Sequence, residues 1–188
     1  MILYLTLTAG YDEAQSSPQK SLGGYKSSNF IDNDMFGNFF TDITQYTIGQ
    51  NRNEYIGLIL KNTTGGAITG AKIWTVTPAT SYSKIEIGVQ LSLSIDADGN
   101  KYMEYVQSIN SKPVQPTIAE RELEGNALAI GDMIADAEVG IWIKRSLLIS
   151  VIEADQEDLV ERSGDAQSLY QEIVKGTSDS IEVKISYS

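Results

Sequence analysis

Residues 84–96 read Lys-Ile-Glu-Ile-Gly-Val-Gln-Leu-Ser-Leu-Ser-Ile-Asp, and this stretch decides the fold that the sequence predicts. Apolar residues occupy every second position, namely Ile85, Ile87, Val89, Leu91, Leu93 and Ile95. Because only a β-strand places alternate side chains on one face, this pattern predicts one long strand with a single buried face. The next segment, Asp96-Ala-Asp-Gly-Asn100, contains an Asp-Gly pair that favours a hairpin turn, so residues 101–107 should return antiparallel.

Similar patterns on both sides of this stretch predict an antiparallel β domain. Runs of alternating or continuous apolar residues lie at 3–7, 55–62, 71–77, 127–131, 139–149 and 181–187. Residues 55–62 carry apolar side chains on both faces, which indicates a central strand, and residues 71–77 are its expected antiparallel neighbour. Turn signals between the strands favour an antiparallel β-sandwich, jelly-roll or immunoglobulin-like, and we expect residues 1–188 to form this single domain.

Two segments depart from the strand pattern in the second half of the chain. Pro113 and Pro116 predict an extended linker along the surface, because proline cannot donate to a strand ladder. Residues 155–176 are acidic and contain an apolar stripe of helical period, with Asp165 placed to begin a helix and Gly176 to end it. We therefore expect a short α-helical insertion at residues 155–176, before the last strand.

Residues 9–40 are mostly polar and are expected to form an extended loop or arm. All the phenylalanines of the chain lie towards its end, at Phe30, Phe36, Phe39 and Phe40. They could pin a loop over the end of a β core, or dock on a neighbouring subunit, since aromatic residues dominate interface energies. We take these four as candidate partner-binding residues, and expect deletion of residues 9–40 to leave a folded monomer that no longer assembles.

The charge balance narrows the choice of partner. The chain has 188 residues, with 14 basic and 25 acidic side chains and a formal net charge of -11. Such a field repels phosphate backbones and anionic lipid, so neither nucleic acid nor a membrane is expected as a partner. The same acidity would also serve simply to keep a β-rich protein soluble.

The absence of histidine and cysteine excludes several kinds of chemistry. It removes the commonest general base, thiolate nucleophiles and most transition-metal ligand sets. Asp96-Ala-Asp-Gly-Asn100 is similar to the start of a calcium loop, but Lys101 and Gln107 stand where glycine and glutamate belong. Acidic pairs such as Glu120 and Glu122 are typical of solvated loops. We therefore predict a protein that is not an enzyme and has no catalytic, metal or cofactor residues.

Several segments taken together resemble a known class of protein. They are Phe39-Phe-Thr-Asp-Ile-Thr44, Gly49, Glu54-Tyr55, Leu60-Lys-Asn62, Ala71-Lys-Ile-Trp74, Ala127-Leu-Ala-Ile-Gly131 and Val139-Gly-Ile-Trp-Ile-Lys-Arg145. Their order resembles structural proteins of tailed bacteriophages, small β-sandwich components of the head, neck or tail. Ile56 departs from that pattern, in which arginine is more usual after the tyrosine. The resemblance implies a virion protein, assembled in the host cytoplasm, whose partners are other virion proteins and copies of itself.

A carbohydrate-binding or adhesion module of β-sandwich type is the alternative function. It would use exposed Trp74, Trp142 or some of the ten tyrosines as a flat platform for sugar rings. The tryptophans could equally lie in the core, since both fall on predicted strands. An enzyme that uses two facing carboxylates is a third hypothesis, and it would require a cleft that holds both.

Overall fold

A computed structural model of the chain describes residues 1–8, 10–31, 40, 53–76, 83–147 and 182–188. These residues are mainly β and contain, besides the strands, two short 3₁₀ helices at Pro18–Lys20 and Glu124–Asn126. The strands are β1 (Ile2–Leu7), β2 (Gly23–Phe30), β3 (Asn53–Lys61), β4 (Ile68–Val76), β5 (Ser83–Gln90), β6 (Ser94–Ile95), β7 (Lys101–Tyr105), β8 (Leu128–Met133), β9 (Glu138–Leu147) and β10 (Glu182–Ser186). The predicted helix at 155–176 lies outside the described residues.

The strands form two antiparallel sheets. The larger sheet has the order β5-β9-β3-β1-β2-β7-β6, and the smaller has the order β10-β4-β8. β3 lies between β9 and β1 and is buried on both faces, which confirms the central position predicted for residues 55–62. Within the described residues, the strands predicted at 127–131, 139–149 and 181–187 are found as β8, β9 and β10.

The predicted pairing of residues 71–77 with β3 is wrong. β4 pairs with β8 and β10 in the smaller sheet, because the turn after β3 crosses from one sheet to the other. Asn62 fixes this crossing from a buried position: its Nδ2 donates to the carbonyl oxygens of Gly66 and Met133 at 2.8 and 3.1 Å. Its Oδ1 accepts the backbone N–H of Thr64 at 3.1 Å. A buried amide with these partners holds the chain in a crossing rather than a hairpin.

The predicted long strand at 84–96 is confirmed only in its first half. Ile85 and Ile87 are fully buried on β5, but the strand ends at Gln90, and Leu91 and Ile95 are 56% and 63% exposed. The Gln90 side chain accepts the backbone N–H of Glu104 at 3.1 Å and donates to the Ser92 carbonyl, so the chain leaves β9 here. The predicted hairpin does form, since β6 pairs antiparallel with β7 across the Asp98-Gly99 turn.

Side chains from both sheets form the main hydrophobic cluster. Its buried members include Ile56, Leu58 and Leu60 of β3, Ile73 of β4, Met133 of β8 and Ile141 of β9. A long connection at residues 106–123, here called the strap, links the two sheets at one side. Ala119 exchanges two backbone hydrogen bonds with Ile87 of β5, and the Arg121 carbonyl accepts the N–H of Thr75 in β4 at 2.8 Å. The proline segment predicted as a surface linker belongs to this strap.

The larger sheet also curls over its own second face. Trp142 of β9 is fully buried there, and its cross-strand neighbours are Gly57 on β3 and Gly88 on β5. Because these neighbours have no side chain, the indole fits between them. The segment that contains Gly23 can also approach the backbone of β3 closely. A Cβ at Gly57 would lie 2.7 Å from the backbone nitrogen of Gly23. The other buried members of this second cluster are Tyr55, Ile59, Met103 and Val106, and Leu22 packs against it.

The predicted arm at 9–40 is wrong for residues 23–30, which form β2. This strand pairs with β1 on one side and with β7 on the other. Its sequence, Gly-Gly-Tyr-Lys-Ser-Ser-Asn-Phe, lacks apolar alternation because buried hydrogen bonds replace apolar contacts. The Ser27 hydroxyl donates to the Glu13 carbonyl and accepts the N–H of Gln15, both at 2.9 Å. Residues 10–20 thus pack along β2 rather than extending away.

Candidate contact surface

The structure places the candidate phenylalanines in different environments. Phe30 lies at the end of β2 and is 48% exposed, so its ring is available for contact. Phe40 is only 5% exposed, and its ring centroid lies 4.9 Å from the guanidinium carbon of Arg145, a buried residue of β9. Phe40 therefore packs in the core. Phe36 and Phe39 lie outside the described residues.

Phe30 is one end of a continuous row of side chains that we call the aromatic strip. Its members share strands β1, β2 and β7 or the loop beside β2, and each contacts the next. In order they are Phe30, Tyr4, Lys26, Tyr11, Tyr25 and Tyr102.

The ring contacts within the aromatic strip are mostly edge-to-face. The ring centroids of Tyr4 and Phe30 are 6.2 Å apart with an interplanar angle of 71°, those of Tyr11 and Tyr25 are 6.5 Å apart at 87°, and those of Tyr25 and Tyr102 are 5.3 Å apart at 45°. Such geometry is favourable for aromatic pairs. The contacts hold the rings in fixed orientations on the surface.

The strand register explains two of these contacts. Tyr4 is opposite Phe30 across β1 and β2, and Tyr25 is opposite Tyr102 across β2 and β7. Directly opposed residues of an antiparallel pair project from the same face. Met103, next to Tyr102, is fully buried, so Tyr102 projects from the outer face and Tyr25 with it.

Lys26 lies between the two halves of the strip. Its ammonium nitrogen is 4.7 Å from the ring centroid of Tyr4 and 5.5 Å from that of Tyr11. The Asp12 carboxylate accepts a hydrogen bond from the same nitrogen at 2.5 Å. Lys26 is therefore a cation held by two ring faces and one carboxylate, and it fixes the positions of both tyrosines.

Negative charge lies at the other end of the strip. A hydrogen bond to Asp96 is the main cause of a raised pKa of Tyr25, with smaller contributions from desolvation and from the charges of Asp96 and Asp98. Desolvation alone would raise the pKa of Asp96, but it is lowered overall by hydrogen bonds from the Asn100 backbone, the Tyr25 hydroxyl and other donors. The potential at the Tyr25 hydroxyl is thus negative.

Asp96 closes the hairpin turn between β6 and β7. Its Oδ1 accepts the backbone N–H groups of Asp98 and Asn100 at 3.0 and 2.8 Å. A turn of this kind accounts for the residues without a metal. In the described part of the chain, no group of three acidic side chains could hold a metal ion.

We expect Asp96→Asn to lower the melting temperature at pH 7, because a neutral amide oxygen is a weaker acceptor for these two N–H groups. The folded-state pKa of Asp96 is lowered, so its stabilisation is fully present above the ordinary carboxyl pKa of about 3.9. It is lost as the pH falls through the lowered value. Melting curves of wild type and variant should therefore converge below about pH 4.

A difference in melting temperature that stays constant down to pH 2 would contradict this assignment. Asp98→Asn is the matched control, and it is expected to leave the melting temperature nearly unchanged.

Both tryptophans are core residues. Trp142 is fully buried and Trp74 is 9% exposed. The Nε1 of Trp142 has no hydrogen-bond partner among the residues that the structure describes. Neither indole can form the exposed sugar platform that the sequence allowed. Of the acidic pair Glu120 and Glu122, Glu120 lies 2.8 Å from the ammonium of Lys84.

The tyrosines of the strip were not predicted as site residues. Tyr4 and Tyr102 alternate with the buried Leu5 and Met103, so their outward orientation could be expected from the strand pattern. The pairing of β2 with β7 brings Tyr25 to Tyr102, and these two strands lie far apart in the sequence. Local periodicity carries no information on that pairing.

Comparisons with known protein families, with curated proteins and with solved structures found no match for this chain. In the residues that the structure covers, no helix is long and apolar enough to cross a membrane. The aromatic strip is a feature of the described surface on which a functional proposal can rest.

Proposed function

We propose that this chain is a noncatalytic structural protein of a tailed-bacteriophage particle, a head, neck or tail component that works through protein–protein contacts. The observation that carries the proposal is the aromatic strip. Tyr11 and Phe30 are 42% and 48% exposed, and Tyr25 and Tyr102 are partly exposed beside them. Clustered aromatic side chains of this kind form the energetic centre of protein interfaces, surrounded by a polar rim.

The composition and the resemblance support the same proposal. The chain lacks histidine and cysteine, and the order of segments between residues 39 and 145 resembles tailed-phage structural proteins. The partners proposed are copies of the chain itself and other virion proteins, rather than nucleic acid or a membrane, because the formal net charge is -11. Its proposed location is the virion, after assembly in the host cytoplasm.

The architecture proposed for this module is a β-sandwich, of jelly-roll or immunoglobulin-like type. Two features support it. The main hydrophobic cluster draws on both sheets, and the strap connects β5 of the larger sheet to β4 of the smaller one through residues 119–121. Stacked antiparallel sheets that share one core are typical of this class.

The experiment is to identify the proteins of purified particles. Particles from a lysate of cells whose phage encodes this chain are banded on a density gradient and digested for quantitative mass spectrometry. We expect peptides of the chain in the particle band, at many copies per particle. Recovery of the chain only from the soluble fraction would contradict a structural role in the virion.

The deletion that the sequence suggested is not a usable test. Residues 9–40 include β2, so their removal would take a strand from between β1 and β7 and unfold the sheet. Substitutions at exposed positions of the aromatic strip are the better choice, because they change the contact surface and leave the strand pairing in place.

The second candidate function is carbohydrate binding, and one observation favours it. Tyr25 and Tyr102 present ring surface next to the Asp96 carboxylate, and sugar sites combine ring faces with such hydrogen-bonding groups. However, the rings are inclined at 45° and 87° to their neighbours, so they do not form the flat platform that this function predicts. Titration with soluble glycans distinguishes the two functions.

A further inference from the structure

The tyrosine end of the aromatic strip combines ring faces with carboxylates. Tyr25 lies between Tyr11 and Tyr102, with ring centroids 6.5 and 5.3 Å away. Asp96 lies beside its hydroxyl and is the main cause of the raised pKa of Tyr25, and Asp98 is exposed at the tip of the same hairpin. Both carboxylates contribute to the negative potential at Tyr25.

The other half of the strip already shows what these groups bind. There the ammonium of Lys26 lies over the rings of Tyr4 and Tyr11, and the Asp12 carboxylate completes its surroundings. Tyr25, Tyr102 and the two carboxylates of the hairpin offer the same set of groups. Among the described residues, however, none places a cation over the ring of Tyr25 or Tyr102.

We infer that the protein segment which docks on Tyr11, Tyr25 and Tyr102 presents arginine side chains, stacked on the tyrosine rings and paired with Asp96 and Asp98. This inference rests on the proposed function, because it names the chemistry of the partner that the strip contacts. Arginine suits the site better than lysine, since a planar guanidinium stacks on a ring and pairs with a carboxylate at the same time.

Ring geometry and charge argue for a cation over a neutral sugar. Rings inclined at 45° and 87° present separate faces, each large enough for one guanidinium, rather than one plane for a row of sugar rings. The formal net charge of -11 would attract a basic segment and speed its association, whereas it has no such effect on a neutral glycan.

The test is a titration of the full chain with three probes: an acetylated and amidated (Gly-Arg)₄ peptide, the matching (Gly-Lys)₄ peptide, and chitohexaose. Binding is followed by calorimetry and by the tyrosine ring signals in NMR spectra. The informative variants are Asp98→Asn, which changes only charge at an exposed position, and Tyr102→Ala. The matched controls are Glu124→Gln and Tyr187→Ala, both exposed and outside the strip. Thermal unfolding establishes that each variant is folded.

We expect the arginine peptide to bind more tightly than the lysine peptide and to shift the signals of Tyr25 and Tyr102. Asp98→Asn and Tyr102→Ala should each weaken that binding about five- to tenfold, and the controls should change it less than about twofold. Equal binding of the two peptides, or an equal loss in the controls, would overturn the inference in favour of general charge attraction. Binding of chitohexaose at these tyrosines without binding of the arginine peptide would overturn it in favour of a sugar.

These outcomes are separate from those of the proposed function. If the arginine peptide does not bind but the chain is abundant in purified particles, the structural role stands and the arginine partner is wrong. If the peptide binds as expected but the chain is absent from particles, the surface is confirmed and the virion role is wrong.

Discussion

Replacing Arg145 with methionine is expected to lower the free energy of unfolding by about 3–5 kcal/mol. Arg145 and Glu54 are directly opposite on β9 and β3, both almost fully buried, with Nη2 and Oε2 2.5 Å apart. The ring of Phe40 lies on the guanidinium. Removal of the arginine takes away the cation that opposes the buried Glu54 carboxylate. Urea denaturation followed by circular dichroism measures the change.

Two further variants isolate the cause of this loss. The double variant Glu54→Leu with Arg145→Met should recover most of the stability, because replacing both buried ions by apolar side chains removes the desolvation cost as well as the attraction. Lys61 pairs with Asp136 at 2.9 Å on a more exposed part of the structure, so Lys61→Met should cost less than about 1 kcal/mol. A loss below 1 kcal/mol for Arg145→Met itself would mean that the Glu54 carboxylate does not depend on Arg145 for compensation of its charge.

The second large effect is expected at Gly57, where alanine should lower the free energy of unfolding by about 3 kcal/mol. A Cβ there would lie 2.7 Å from the nitrogen and 2.9 Å from the Cα of Gly23. Both are backbone atoms of the segment that curls over the sheet, so they cannot rotate out of the way. The Gly57 N–H also donates to the Ser21 carbonyl at 2.8 Å, which ties the two segments together.

Gly125→Ala is the matched control for this substitution. No atom lies within 4 Å of the Cβ that alanine would add there. Its effect should stay within about 1 kcal/mol of zero, in either direction. Similar losses at both glycines would show that the close approach of Gly23 to Gly57 does not limit the packing of the second cluster around Trp142.

Side-chain periodicity predicted those strands whose apolar residues enter the main cluster. Ile85 and Ile87 alternate with polar residues and are buried as expected, and β3 is central because both of its faces are apolar. The same rule failed at Leu91 and Ile95. At that point the chain leaves β9 and later pairs with β7. The side-chain amide of Gln90 accepts the N–H of Glu104 and donates to the carbonyl of Ser92 there. Periodicity describes the faces of a strand but not where the strand must end.

β2 could not be predicted because hydrogen bonds rather than apolar contacts bury it. Ser21 and Thr6 form such a buried group: the Thr6 N–H donates to the Ser21 hydroxyl at 2.8 Å, and that hydroxyl donates to the Gly57 carbonyl at 2.6 Å. In sequence these residues are indistinguishable from a polar loop. The sequence pattern therefore predicts an arm, whereas residues 23–30 form a strand inside the larger sheet.

The candidate site was predictable only in part, for a similar reason. Aromatic contact residues were expected, and Phe30 is exposed, but Phe40 fills the core beside Arg145. Strand register pairs Phe30 with Tyr4 and Tyr25 with Tyr102, through pairings between strands that are distant in sequence. Tyr11, in the loop beside β2, joins the two pairs, because it contacts both Tyr25 and Lys26.

Particles that carry the double variant Tyr25→Ala with Tyr102→Ala provide the most direct test of the contact surface. Tyr187→Ala, exposed on the part of the chain that follows β10, is the control. The quantity to measure is the number of copies of the chain per purified particle. If the aromatic strip makes the contacts, the double variant should fall at least about tenfold below wild type while Tyr187→Ala remains at the wild-type number. A folded double variant that is incorporated as well as wild type would contradict the account.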